Sequence, residues 1–103
     1  MRRLPPIAFV ILLLSATALH AEPVAIISHI KRVPVESSAV ATVGYSKKLR
    51  ALEIEFLNGA IYRYLDVAPE IYEALLNAES KARFYDDNIR HKYRSLHVRP
   101  RAP

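Results

Sequence analysis

The sequence predicts an α+β fold: a three-stranded antiparallel β-meander followed by two helices packed on one face, preceded by a signal peptide. Three observations predict it. Apolar and acidic residues alternate from Leu52 to Phe56, Asn58-Gly59 breaks the alternation with a hairpin signal, and helical spacing takes over after Pro69.

The first stretch stands apart from the fold. Met1-Arg2-Arg3 is basic, Ile7 to Leu14 is wholly apolar, and small residues run from Ser15 to Ala18. That order predicts a secretory signal over residues 1–21, cleaved after Ala18 or Ala21. The stretch from Ile7 to Leu19 falls short of the about 20 apolar residues that span a bilayer, so no transmembrane anchor is expected after cleavage. The expected location is outside the cytoplasm, in the periplasm or the medium. The chain has no cysteine, which excludes disulfide staples, thiol catalysis and cysteine-ligated zinc.

Residues 22–33 read as a linker or an extra edge strand, with Val24 to Ile30 as the candidate segment. The domain proper is expected over residues 34–96, opened by Pro34. Val40 to Tyr45 is rich in β-branched residues and reads as the first strand, closed by a turn at Ser46-Lys47-Lys48. Leu49 to Phe56 is the second strand and Ala60 to Val67 the third.

The register between these last two can be argued from side-chain chemistry. A two-residue Asn58-Gly59 loop would set Ile54 opposite Arg63 and place an arginine on the apolar face. A three-residue loop with Gly59 in a left-handed bulge position pairs Phe56 with Ala60, Ile54 with Tyr62, Leu52 with Tyr64 and Glu53 with Arg63. Apolar then meets apolar and acid meets base, so the second register is expected, with the Tyr62 and Tyr64 rings on the apolar face.

Pro69 suits the first turn of a helix, and Glu70 and Glu73 complement its positive end. Ile71, Ala74, Leu75 and Ala78 follow at helical spacing. Ser80 is placed to cap a second helix, on which Ala82, Tyr85, Ile89 and Tyr93 share one face. Residues 97–103 read as a flexible basic tail.

Charge is uneven along the chain. Without Arg2 and Arg3, the 15 basic residues of the 103-residue chain fall to 13 against 10 acidic ones. Most of that excess lies from Lys81 onward, whereas Leu52 to Glu79 is acidic. On the second helix Arg83, Arg90 and Arg94 fall within one narrow stripe, flanked by Lys81 and Lys92. These five are the candidate binding residues, and they call for an anionic partner. Asp86 and Asp87 sit at ion-pairing distance in sequence from Arg90 and Arg83, which equally describes a solvated charged face.

Other chemistries find little support. His29, His91 and His97 lack the spacing of metal ligands, so no metal and no cofactor are expected. Glu53 and Glu55 resemble paired carboxylates but read as ordinary exposed residues on a strand, one of them neutralised by Arg63. Ser37 and Ser38 lack a nearby base, and their hydroxyls are expected to bond the backbone at the entry to the first strand. No nucleophile, phosphate-loop or dinucleotide motif is present, and no catalytic residue is assigned.

Several of these segments together resemble the KTSC domain, a family named for its occurrence at the C-terminus of some lysyl-tRNA synthetases. They are Val35-Glu36-Ser37-Ser38, Val43-Gly44-Tyr45, Leu52 through Gly59, Tyr62 through Val67, Leu75 through Lys81 and Asn88-Ile89-Arg90, with Tyr62-Arg63-Tyr64 as the hallmark. The resemblance runs from about Pro34 to Leu96. It implies that Ser38, Tyr45, Phe56, Gly59, Tyr62, Tyr64, Ser80, Asn88 and Ile89 are motif residues, read here as structural. It implies no catalytic residues, and it brings a suggestion of RNA binding from the synthetase context. The chain departs from the family in a short Ser46-Lys47-Lys48 turn, in Ala82 at a position often held by glycine, and in its export signal. The function expected is an exported, non-enzymatic interaction module whose partner is an anionic envelope component or a protein. Nucleic-acid binding is the alternative, and a small hydrolytic enzyme is a second one.

Overall fold

The computed structural model describes residues 25–100. The expected signal peptide lies outside the described residues, as do residues 101–103. Five antiparallel strands form one sheet in the order of the chain: β1 (Val33–Pro34), β2 (Val40–Ser46), β3 (Ala51–Phe56), β4 (Ile61–Tyr64) and β5 (Ser95–His97). Two helices, α1 (Pro69–Asn77) and α2 (Lys81–Asn88), connect β4 to β5.

The α+β meander with two helices is as expected, but the sheet has five strands rather than three. The expected meander is β2-β3-β4. The two additions are its edges. On one side the extra strand is Val33–Pro34, paired to β2; in the segment Val24 to Ile30, read as an extra edge strand or a linker, Ile26 forms an isolated bridge with Val98. On the other, Ser95–His97 pairs with β4, Tyr62 facing His97 and Tyr64 facing Ser95. Order continues past the expected start of the tail. Val98 is buried, its N–H donates to the Ile61 carbonyl at 2.9 Å, and it forms a parallel bridge with Ile26. Ile26 N–H donates to the His97 carbonyl at 2.9 Å and Arg99 N–H to the Ile26 carbonyl at 2.7 Å.

The β3–β4 hairpin takes the register argued from side-chain chemistry: Leu52 with Tyr64, Glu53 with Arg63, Ile54 with Tyr62. Phe56 N–H donates to the Ala60 carbonyl at 2.9 Å, and Gly59 has φ +94°, the left-handed value this three-residue loop demands. A register shift between Val40 and Thr42 in β2 lets Val40 and Val43, three residues apart, both face the core. That core joins them to Leu52, Ile54, Tyr64, Val67, Leu75 and Ile89.

Each helix has a local cause. Pro69 opens α1, whose Leu75 is buried against the sheet. Tyr72 of the same helix stacks on Tyr45 at 5.5 Å between ring centres. Ser80 caps α2 by accepting from Arg83 N–H at 3.1 Å. This helix is shorter than its spacing predicts. It ends at Asn88 with Ile89 as the C-cap, and His91, at φ +60°, carries the chain out of helical geometry. Ile89 is fully buried, Tyr85 and Tyr93 half-buried, so the stripe reaches the core while its last member lies beyond the helix.

The opposite face of the sheet departs most from expectation. Glu53, read as an exposed strand glutamate, is 0% exposed. Residues 25–32 cross this face as a strap. From the strap, Arg32 Nη1 meets Glu53 Oε1 at 2.8 Å; from β4, Arg63 Nη2 meets Glu53 Oε2 at 2.7 Å. Ser28 accepts from Arg63 at 3.2 Å, while Thr42 accepts from Arg32 at 3.2 Å and donates to Glu55 at 2.9 Å. Both carboxylate oxygens of Glu53 therefore have a charged donor, which a buried acid requires. Gly44 makes room for the strap: a methyl group there would collide with the Lys31 carbonyl and lie 3.1 Å from the Arg32 Cα.

Candidate functional site

The sheet's pleat sends Tyr62 and Tyr64 to the helical face, where they meet α2 and the turn that follows it. Tyr64 is buried and shares a hydrogen bond of 2.8 Å with the Tyr85 hydroxyl. Burial, and then that hydrogen bond, push the Tyr64 phenol well above its ordinary range. Tyr62 is half-buried, stacked against His97 at 5.2 Å, and Phe56 stands edge-on to both Tyr62 and Tyr85. One wall of this aromatic group opens to solvent. Tyr62, Tyr64, Tyr85, Arg90, His91, Tyr93 and Ser95 line an open concavity of about 280 Å³. It exists because β5 returns beside β4 and carries Ser95 to its rim.

The five candidate basic residues do not form one helical stripe. Only Lys81 and Arg83 belong to α2. Lys81 is half-buried, and its ammonium donates to the Ala78 carbonyl at 2.9 Å, at the negative end of α1. Arg83 is exposed on the helix surface. Arg90, Lys92 and Arg94 are exposed on the turn between α2 and β5, where the chain folds back. The turn is fastened from within: Lys92 N–H donates to the Ile89 carbonyl at 3.0 Å, and Leu65 N–H to the Arg94 carbonyl at 2.9 Å. Arg90 reaches Asp86 at 3.3 Å, the expected i, i+4 pair, with both side chains more than half exposed. The fold thus brings Arg90 to the tyrosine concavity, with Lys92 and Arg94 close by in the chain, and leaves Lys81 and Arg83 elsewhere. His91, Tyr93 and Ser95 belong to the concavity and were missed as site residues. Their signal, a run of basic and aromatic residues after Ile89, was assigned to a continuing helix.

The remaining motif residues have local structural jobs. Tyr45 hydroxyl donates to the Val67 carbonyl at 2.5 Å, tying β2 to the segment that enters α1. Asn88 donates from Nδ2 to the Phe84 carbonyl at 3.2 Å in the last turn of α2. Ser37 Oγ accepts from Ala39 and Val40 N–H at 3.2 and 3.1 Å, shaping the entry to β2 as expected, and its neighbour Ser38 is exposed. Among the described residues no three His, Cys, Asp or Glu side chains are grouped to hold a metal ion. Hydroxyls that make side-chain hydrogen bonds there do so to backbone, arginine, glutamate or tyrosine, never to histidine.

Known proteins resemble this chain in sequence and fold. The KTSC domain model matches residues 36–93, more than half of the chain. A protein of uncharacterised function from Stutzerimonas stutzeri is 45% identical over 56 residues, covering 54% of this chain and 79% of that protein. One from Tsukamurella paurometabola is 40% identical over 63 residues, covering 61% and 94%. A lysine–tRNA ligase from Nostoc punctiforme is 36% identical over 59 residues, covering 57% of this chain and 10% of the ligase. The crystal structure of a KTSC domain protein from Yersinia pestis matches with a TM-score of 0.65 at 35% identity, covering 68% of this chain and 99% of that one. The strap and β5 both fall outside residues 36–93, which the family model matches, whereas the meander, both helices and the tyrosines fall within them. On that shared frame, this chain belongs to the KTSC domain family.

Proposed function

We propose that the protein is an exported, non-enzymatic binding module that receives an anionic ligand at the tyrosine-lined concavity and the basic turn beside it. The single observation that carries this reading is the convergence of Tyr62, Tyr85 and Tyr93 with Arg90 on one open surface, next to Lys92 and Arg94. Arginine beside exposed aromatic edges suits a ligand with both negative charge and a flat or apolar part. Export rests on the order of residues 1–21. The non-enzymatic reading rests on the sequence, which carries no nucleophile, phosphate-loop or dinucleotide motif.

Nucleic acid is the second reading. Aromatic faces beside bases suit single strands, and the match to part of a lysine–tRNA ligase places a related segment in a protein whose name includes tRNA. Salt separates the two. Binding of a single-stranded RNA through Arg90, Lys92 and Arg94 should weaken with a log–log slope of about −2, three contacts at about −0.7 each.

The test is crosslinking and recovery of partners from the intact cell envelope, with an Arg90→Glu/Lys92→Glu/Arg94→Glu variant beside the parent. A partner set lost in the variant supports the basic surface, and identical recovery overturns it. RNA recovered with the stated salt slope would favour the second reading.

A further inference from the structure

The strap creates a second concavity on the opposite face of the sheet. It lies between residues 27–31 and the β2–β3 turn, has a volume of about 550 Å³, and shares no lining residue with the tyrosine concavity. Its lining is amphipathic in an ordered way. Ile27 and Leu49 are 67% and 54% exposed, among the most exposed large apolar side chains described. Lys31, Lys48 and His29 line the same cleft and are exposed, and Lys47 follows Ser46 on the same turn. Buried Ile30 is part of the lining. Among the described residues no carboxylate lines the cleft. Arg63, which also borders it, is already engaged by Glu53.

From this pattern we infer that the strap–hairpin cleft is a docking surface for an anionic phospholipid bilayer. Two protruding aliphatic side chains beside exposed lysines form the arrangement that inserts at the headgroup boundary. Apolar tips enter the acyl edge, and ammonium groups on flexible stems stay level with the phosphates. A protein partner fits less well, because the core of a protein–protein interface is depleted of charged residues, and here the lysines sit inside the cleft. The absence of any lining acid supplies the charge complementarity, since each lysine near an anionic membrane surface strengthens attachment and no carboxylate opposes it. The strap is held by the Arg32–Glu53 ion pair, and the β2–β3 turn by Leu49 N–H donating to Ser46 Oγ at 3.1 Å and Arg50 N–H to the Lys47 carbonyl at 3.3 Å, so the surface is presented by a fixed scaffold. This inference does not depend on the ligand of the tyrosine concavity.

The experiment is co-sedimentation with vesicles of phosphatidylglycerol mixed with phosphatidylcholine, and with vesicles of phosphatidylcholine alone. The protein is used as recovered from the expressing cell. Every result is read as the ratio of variant to parent, so that a contribution from residues 1–24 cancels. The variants are Ile27→Asp/Leu49→Asp and Lys31→Glu/Lys48→Glu, all at exposed positions, with Arg83→Glu/Arg99→Glu as a charge-matched control at exposed positions that line neither concavity. Circular dichroism confirms that each is folded. Both cleft variants should lose about tenfold or more of the partitioning into anionic vesicles, and the control should keep most of it. The inference is overturned if the parent does not partition, if it prefers the neutral vesicles, or if the control loses as much as the cleft variants. The last result would mean that net charge alone drives attachment.

Discussion

The two faces of the sheet solve the same burial problem by different means. The helical face is closed by α1 and α2 over aliphatic side chains and tyrosines, and its polar atoms are few and paired, as in Tyr64 with Tyr85. The strap face is closed by one extended segment over a carboxylate and two guanidinium groups. An apolar face tolerates imperfect covering, because each lost contact costs little. A buried ion pair does not, because a missing partner leaves a charge without solvent. The strap face is therefore the less forgiving of the two, although it has the thinner cover.

The largest test of that difference is Arg63→Met. It removes one of the two donors to a fully buried carboxylate and should destabilise the domain by about 3–5 kcal/mol, read from the urea midpoint. Replacing Arg32, Glu53 and Arg63 together by leucine or methionine should recover much of that loss. If the single and triple variants were equally unstable, packing rather than charge would hold the strap.

Gly44→Ala sharpens the comparison by adding one methyl group to the strap face only. The clash with the Lys31–Arg32 backbone should cost about 1–3 kcal/mol. Amide exchange should quicken at Ile26 and Arg99, which the strap protects, and stay slow at Ile89 on the other face. Uniform acceleration would mean that the two faces open as one unit.

The smallest effect belongs to the helical face and appears only in alkali. Tyr64 is held neutral in the fold above the ordinary phenol value of 10.0. The unfolded chain loses that proton as the pH passes about 10, whereas the folded chain keeps it. Stability contributed by Tyr64 is thus complete below pH 10 and falls above it by about 1.4 kcal/mol per pH unit. Unfolding midpoints measured from pH 9 to 11 should show at least this slope, and Tyr64→Phe should reduce it, leaving the part that Tyr72, also raised by burial, contributes.

How much of this was legible in the sequence follows the same division. The β3–β4 hairpin could be read to the residue, because alternation, Asn58-Gly59 and the Glu53–Arg63 pair all select one register. The core tyrosines followed from it. β1 and β5 could not be read, because two- and three-residue strands with exposed side chains carry no alternation and exist only by pairing with an established neighbour. The end of α2 was hidden as well. Residues 82, 85, 89 and 93 keep helical spacing although the helix stops before the last of them, and the left-handed turn at His91 lacks the glycine that would announce it. That misreading displaced Arg90 and Arg94 onto a helix and concealed the meeting of Arg90 with the tyrosines. Glu53 looked exposed because its burial depends on Arg32, 21 residues away. No local pattern encodes so distant a partner.

The backbone bonds joining Ile26 to His97 and Arg99 bring the two extremities of the described chain to a single corner. The first and last described residues therefore lie side by side. A circularly permuted protein, with a short linker across this corner and a new opening at the exposed Asn58-Gly59 loop, should then retain its topology. Such a domain can be spliced into a host protein like a bead on a short stalk, with both concavities left clear.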